Sequence, residues 1–256
     1  MDQLLAQVPL MLLIASRVAG VTAVSPLFAN RFVPPPLRAA FTLLLGLILL
    51  PVVKDRVAAD VMTGTGLLAG CMLELLVGLT IGFIGQMIFA AVQMAGALID
   101  LDMGFLSAQI FDPVSGHSEP ITSTFFQALA LTLYLTMDGH HLLIRALASS
   151  YEAIPAGGLS LVNAAPLHVA NLFGVMLAAA IQMVLPFTAV MLLATMALAG
   201  ITRAVPQLHI FAVGMGIKAL SGMAFVVLLL PYMLAFLERL FDAGNAEMLH
   251  VLDLMR

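Results

Sequence analysis

The chain has 256 residues, of which 62% are hydrophobic and 9% charged, with a mean hydropathy of +1.11 and a formal net charge of −4 at pH 7. An ordinary soluble domain is about 45–50% apolar and about 25% charged. This composition therefore excludes an ordinary soluble domain and predicts that lipid or large partners cover the surface. The lack of a Lys/Arg run gives no sign of nucleic-acid binding, and the single Cys71 excludes an internal disulfide or a cysteine-based metal cluster.

Six apolar runs follow one another without a polar linker, so we interpret residues 1–256 as one membrane domain. In chain order the runs are 4–28, 39–53, 61–99, 120–137, 169–202 and 219–237, the last extended backwards by 210–217. A spanning helix needs about 20 residues, so the second run is short, whereas the third and fifth are too long for a simple crossing. The runs show no period-2 alternation, which favours an all-α membrane protein of about six hydrophobic helices over a β-barrel.

Proline and glycine mark the predicted bends and connections. Pro186 and Pro231 lie within the last two runs and are expected to bend their helices, because proline removes a backbone donor. Residues 154–158, with the sequence IPAGG, are expected to break a helix, and residues 138–139 to end one. Pro206 and Gln207 are predicted at the turn of a hairpin formed by the last two long helices.

Charged side chains inside the apolar runs are the first candidates for function, because each costs about 2.5–3.5 kcal/mol in lipid unless it is paired or reaches water. The candidates are Arg17, Glu74, Asp100, Asp102, Arg145, Arg203 and Lys218. They either pair at helix ends and subunit contacts, or a subset lines a proton or ion path. Asp100 and Asp102 lie on nearly opposite sides of a helix, so no two carboxylates share a helix face in mid-span, which favours pairing.

The sequence indicates no catalytic site. His140 and His141 are adjacent rather than spaced for metal binding, so we predict an interfacial turn there instead of a zinc site. The sequence holds no nucleophile elbow, HExxH motif or Gly-rich phosphate loop. It therefore predicts a protein that is not an enzyme and that needs neither cofactor nor metal.

Small residues at four-residue spacing predict close helix packing. Gly78 and Gly82 form a GxxxG pattern, which Gly85 extends, and Gly96 and Gly214 are further candidates. The spacing does not distinguish packing within the chain from packing between subunits, and both alternatives stay open.

The most unusual stretch is residues 103–116, which connects two long apolar runs yet is itself apolar. A solvated connection would be polar, so this one is expected to pack on something or to close something. The chain's 17 methionines are compatible with an adaptable seal, although methionine more often simply fills a core. The residues expected to form a plug are Met103, Gly104, Phe105, Leu106, Ile110, Phe111, Asp112 and Pro113.

Short sequence patterns occur in a fixed order over nearly the whole chain. They are ASRVAG at 15–20, SPLF at 25–28, VP at 33–34, ELLVG at 74–78, GF at 82–83, AG at 95–96 with Asp100, GF at 104–105, FDP at 111–113, DGHH at 138–141, SY at 150–151, IP at 154–155, and RAVPQL at 203–208 with Phe211, Gly214 and Lys218. Each is unspecific alone, but the ordered set resembles the FliR family of flagellar and injectisome export-gate subunits. The GHH at 139–141 is more similar to the flagellar members.

The resemblance implies a function and a set of partners. A member of this family is a core pore-forming subunit of the flagellar type III export gate, which passes unfolded flagellar proteins across the bacterial inner membrane within the flagellar basal body. The implied partners are FliP and FliQ homologues in one hetero-oligomer, with FlhB and FlhA nearby, and membrane lipid. The alternatives are an injectisome homologue and an ion-coupled secondary transporter.

The resemblance also implies an arrangement of helical hairpins. Residues of about 1–168 match a FliP-like portion, about 169–240 a FliQ-like helical hairpin, and 241–256 a C-terminal tail. Residues 103–116 match the position of the family's plug loop, which closes the pore.

Overall fold

The computed structural model describes residues 8–28, 33–54, 64–105, 121–158, 165–204 and 210–254. These residues form seven α-helices: α1 (Val8–Val24), α2 (Pro35–Val53), α3 (Gly64–Met103), α4 (Ile121–Thr136), α5 (Gly139–Ala153), α6 (Ala165–Ala204) and α7 (Ile210–Leu254). All regular structure in this part of the chain is helical, which confirms the all-α prediction. Six helices correspond to the six apolar runs, and α5 is an additional one.

Several helices are much longer than a bilayer is thick. Four have the length and composition to cross a membrane, over Pro35–Val53, Gly66–Met103, His168–Ile201 and Gly214–Leu252. α3 and α6 have 40 residues each and α7 has 45. At 1.5 Å per residue they measure about 60–68 Å, twice the hydrocarbon thickness of about 30 Å. Residues 241–254, expected as part of a tail, continue α7 without interruption.

The predicted helix breaks are present, whereas the prolines inside helices do not end them. α5 ends at Ala153, and Gly157 in the following turn has φ +77°, a left-handed conformation that glycine adopts without strain. Pro186 and Pro231 lie inside the continuous α6 and α7. The bend expected at each proline stays a prediction.

The chain forms two compact units, each assembled from separate stretches of sequence. Unit 1 comprises Met1–Ile88, Tyr134–Phe173 and Phe241–Arg256, and unit 2 comprises Phe89–Leu133 and Gly174–Leu240. The resemblance instead divides the chain at about residue 168, into a FliP-like portion and a FliQ-like hairpin. That division does not coincide with the two compact units and stays a prediction.

Each unit has an apolar core of its own. Fully buried side chains in unit 1 include Leu13, Val18 and Phe241, and those in unit 2 include Phe126 and Phe187. Burial of such side chains contributes about 1.5–3 kcal/mol each to the stability of the fold.

Much of the apolar surface of the long helices stays uncovered by the chain itself. Only 17% of the most apolar window of α6, and the same share in α7, is buried. Exposed apolar side chains extend from Phe173 to Ile201 on α6 and from Ile217 to Tyr232 on α7. Lipid or other protein must therefore cover these faces.

Candidate functional site

Arg17 of α1 and Glu74 of α3, two of the charges expected inside apolar runs, meet in unit 1. The Nε of Arg17 donates to Oε2 of Glu74 at 2.5 Å, and the Nη2 donates to Oε1 at 3.0 Å. The two side chains are 0% and 2% exposed. A pair buried this deeply is stable only if its remaining polar groups also find partners inside the protein.

The C-terminal end of α5 and the turn after it supply those partners. Arg17 Nη1 donates to the Ser150 hydroxyl at 2.8 Å, and Nη2 donates to the carbonyl of Ile154 at 3.0 Å. The backbone N–H of Gly157 donates to Oε1 of Glu74 at 2.9 Å. The helix-breaking turn at residues 154–158 thus contacts the ion pair in addition to α1 and α3.

Tyr151 completes this arrangement, which we call the ionic network (Arg17, Glu74, Ser150, Tyr151, Ile154 and Gly157). The guanidinium carbon of Arg17 lies 3.9 Å from the centroid of the Tyr151 ring, a stacking geometry that suits arginine. Burial raises the pKa of the Tyr151 phenol above its usual range, so this ring stays neutral beside the ion pair. The network ties α1, α3 and α5 together and leaves neither charge free for transport chemistry.

Glycines bring the backbones of α1 and α3 close enough for the ion pair to form. Gly78 lies directly on the carbonyl of Arg17, where an added Cβ would overlap the oxygen. A Cβ at Gly82 would lie 2.9 Å from the carbonyl oxygen of Val21, and one at Gly20 only 2.5 Å from that of Leu75. In unit 1 the GxxxG pattern therefore packs two helices of the same chain.

The other candidate glycines have more varied surroundings. A Cβ added at Gly85 would make ordinary contacts with Pro26 and Met248, and Gly214 is half-buried on α7. Gly96 of α3 approaches the backbone of Ser123 on α4, where an added Cβ would lie 2.8 Å from the amide nitrogen.

Asp100 of α3 binds the first turn of α4 within unit 2. Its carboxylate accepts hydrogen bonds from the Thr122 amide at 3.0 Å, the Thr122 hydroxyl at 2.6 Å and the Ser123 amide at 3.3 Å. Asp100 is fully buried, and a carboxylate at a helix N-terminus satisfies amides that have no partner within the helix. We call this connection, together with the contact of Gly96 with Ser123, the stem.

The residues expected to form a plug begin where α3 ends. Met103 is 2% exposed and packs on α7 in unit 2, where an added Cβ at Gly222 would lie 2.6 Å from its Cγ. Gly104 has φ +83°, and its N–H donates to the carbonyl of Leu101, a common way to end a helix. Phe105 is half-buried. The expected plug residues Leu106, Ile110, Phe111, Asp112 and Pro113, and the hairpin-turn residues Pro206 and Gln207, lie outside the described part of the chain.

The remaining predicted charges lie in different settings. Asp102 accepts a hydrogen bond from the Thr188 hydroxyl at 2.7 Å, beside an otherwise apolar cleft of about 410 Å³ in unit 2. Arg145 and Arg203 are exposed, on α5 and at the end of α6, and Lys218 is half-buried on α7.

Sequence reasoning found the two charges of the ionic network but assigned no role to the residues that enclose them. Ser150, Tyr151 and Ile154 occur in the patterns SY and IP of the family resemblance, which carry no information about their contacts. The two glycines that follow Pro155 were a usable signal for Gly157, because they mark a turn that can take positive φ and aim an N–H inward.

Residues 8–244 match the model of the family described as bacterial export proteins, family 1. The chain belongs to this family. It is 30% identical to the flagellar biosynthetic protein FliR of Bacillus subtilis (strain 168), over 100% of this chain and 99% of the relative. It is 31% identical to the FliR of Pectobacterium carotovorum subsp. carotovorum and 30% identical to that of Escherichia coli (strain K12), over 88% of this chain and 86% of each relative.

These similarities confirm the predicted family. As a bacterial export protein with FliR relatives, the chain is a membrane component of the flagellar export apparatus and not an enzyme.

Proposed function

We propose that this chain is a core pore-forming subunit of a flagellar type III export gate, which passes unfolded flagellar proteins across the bacterial inner membrane within the flagellar basal body. Membership of an export family and FliR relatives support the flagellar assignment over an injectisome one. The single observation that carries the conduit role is the stem.

The stem holds the end of α3 beside the start of α4. Asp100 lies one helical turn before the end of α3 and binds Thr122, the second residue of α4. The described helix ends on either side of residues 106–120 therefore lie close together. Phe105, Leu106, Ile110 and Phe111 need cover from water, and a narrow pore that they close would provide it.

The long helices support a hetero-oligomer with FliP and FliQ homologues, with FlhB and FlhA nearby. The exposed apolar side chains from Phe173 to Ile201 extend over about 42 Å of α6. A helix tilted by about 20° needs only about 32 Å to cross the hydrocarbon. Lipid therefore cannot cover the whole of this face, and apolar surfaces of partner subunits are expected to cover the rest. In this proposal residues of about 169–240 form the FliQ-like hairpin.

The ionic network argues against the ion-coupled transporter. A coupling carboxylate must gain and lose a proton or ion during each cycle. Glu74 instead accepts two hydrogen bonds from Arg17 and one from Gly157, and it is 2% exposed. Such a carboxylate stabilises the packing of the helices that it connects.

The test replaces Phe105, Leu106, Ile110 and Phe111 by serine in the full chain, co-expressed with FliP and FliQ homologues. We expect the complex to form in the usual yield and the membrane to become permeable to small ions, which dye and conductance assays measure. The matched control replaces Leu159, Leu161 and Val162 by serine, since these apolar residues lie in another connecting segment. Unchanged permeability of a normally assembled complex would contradict the plug. A parent chain that does not co-purify with FliP and FliQ would contradict the gate itself.

A further inference from the structure

The turn between α4 and α5 brings together two imidazoles and a carboxylate. Asp138, His140 and His141 each present a ligand atom, and these atoms lie within 4.8 Å of one another. The Nδ1 of His141 lies 3.1 Å from Oδ1 of Asp138, and the two imidazole centroids are 4.2 Å apart. We propose that this turn is a binding site for a divalent transition-metal ion of the zinc type.

The backbone of the turn ends α4, because the N–H of Asp138 donates to the carbonyl of Leu135 at 3.2 Å, and it leaves the carboxylate of Asp138 out of the cap of α5. Asp138 occupies the N-cap position of α5, where an aspartate normally accepts hydrogen bonds from the first amides of the helix, but its side chain makes no such bond. It adopts φ +57°, the one positive φ outside glycine among the residues that the structure describes. Such a conformation costs free energy and is concentrated at functional sites. Here it directs the carboxylate to His141.

His140 supplies an independent observation. Its Nδ1 is buried and has no hydrogen-bond partner in the described part of the chain. A buried polar nitrogen without a partner is destabilising, so such groups in native proteins usually have a reason. A metal bond to Nδ1 after a small rotation of the ring provides one.

The ligand chemistry matches the proposed ion. Two imidazoles and one carboxylate suit Zn²⁺, Ni²⁺ or Cu²⁺, and sites with three protein ligands leave a position for water. Metal–ligand bonds of about 2.1 Å place the ligands of a tetrahedral ion about 3.4 Å apart, close to the observed spacing of Asp138 and His141. The adjacent spacing of His140 and His141, from which an interfacial turn was predicted instead of a zinc site, does not exclude this ion, because Asp138 lies three residues before His141 and supplies a third ligand.

An ion at this turn would also fix one wall of a cavity. His140 lines an apolar space of about 270 Å³ in unit 1, together with Phe28, Phe41 and Leu147. Gly139 of the same turn packs against the ring of Tyr134, so the backbone there has little freedom to shift. Binding would hold the α4–α5 turn and the His140 ring in one position.

The test uses the untagged full chain in detergent. Co²⁺ is titrated and followed by its visible d–d absorption, and Zn²⁺ is added to displace it and titrated separately by calorimetry. We expect one equivalent of each ion to bind. Asp138→Asn and His141→Gln should each weaken binding by at least about tenfold, the lower bound of what loss of even an outer partner of a metal ligand costs. Both side chains are largely exposed, so these variants should keep the far-UV circular dichroism of the parent.

His168→Gln is the matched control. His168 forms a separate pair with Glu247 at 3.1 Å, in the same unit, and the substitution should leave Co²⁺ binding unchanged. Three results would overturn the site: no d–d band and no Zn²⁺ heat with the parent chain, unchanged affinity in both turn variants, or loss of binding in His168→Gln. The readout is direct metal binding, so it is independent of whether the chain forms an export gate.

Discussion

Replacing Glu74 by glutamine should unfold unit 1 more easily than any surface substitution, because it leaves the guanidinium of Arg17 buried without its counter-charge. Glutamine keeps the size of the side chain and one oxygen, so the hydrogen bond from Gly157 can survive. The charge and one of the two hydrogen bonds from Arg17 cannot.

The magnitude follows from burial. Arg17 is 0% exposed, so water cannot solvate the unpaired charge in the folded state. Removal of one partner from such a pair destabilises proteins by about 3–5 kcal/mol, whereas an exposed pair contributes about 0–1 kcal/mol. Adding Arg17→Met removes the orphaned charge, and the carbonyl of Ile154 is then the main group without its partner, a loss of about 1–3 kcal/mol. The double variant should therefore be at least as stable as Glu74→Gln alone.

The assay is far-UV circular dichroism of the full chain in mixed micelles with increasing SDS. It gives the free energy of unfolding for the parent, both single variants and the double variant. Asp242→Asn, an exposed carboxylate on α7, is the control and should stay within about 0.5 kcal/mol of the parent. A loss below about 1 kcal/mol in Glu74→Gln, or a double variant whose loss equals the sum of the single losses, would refute the account of a buried, mutually dependent pair.

Two further predictions concern the helix contacts. Gly78→Ala places a methyl group against the backbone of α1 and should destabilise the chain by about 3 kcal/mol or more. Gly174→Ala is the control, because Gly174 has open space around it, and it should be neutral or stabilising by up to about 1 kcal/mol. Equal unfolding curves for the two variants in the same SDS titration would contradict the close approach of α1 and α3. Asp100→Ala removes the acceptor at the start of α4 and should lower the hydrogen-exchange protection of the Thr122 amide by about 1–2 kcal/mol. Asp102→Ala is the control and should leave that amide protected, because Asp102 binds Thr188 instead. Protection retained without Asp100 would show that the stem depends on other contacts.

Apolar run length was sufficient to predict six of the seven helices that the structure describes, because a long charge-free run reports directly on an apolar environment. α5 has a different character. Its buried residues Leu143, Ala146 and Leu147 follow helical spacing on one face, while Arg145 and Glu152 lie exposed on the other. A helix of this kind is visible only through its periodicity, and the charges conceal it from any criterion based on uninterrupted hydrophobicity.

The ionic network was predictable as a list of residues and not as an arrangement. Arg17 and Glu74 are conspicuous singly, because charges are rare in such runs. Their pairing joins positions 57 apart in sequence and depends on the close approach of α1 to α3 at Gly78. The contribution of Gly157 depends further on one backbone dihedral angle. Distances of this kind arise from tertiary packing, which local sequence patterns do not encode.

The stem has a consequence for how the chain tolerates change in length. Asp100 and Thr122 hold neighbouring points of α3 and α4, so the residues between them can be lengthened without moving either helix. Each doubling of the length of a chain segment closed between fixed ends costs only about 0.6 kcal/mol of chain entropy, less than the stem's own hydrogen bonds contribute. Insertions of a peptide tag or of natural extra sequence at 106–120 are therefore compatible with an unchanged helical scaffold, and this position offers an attachment point for probes.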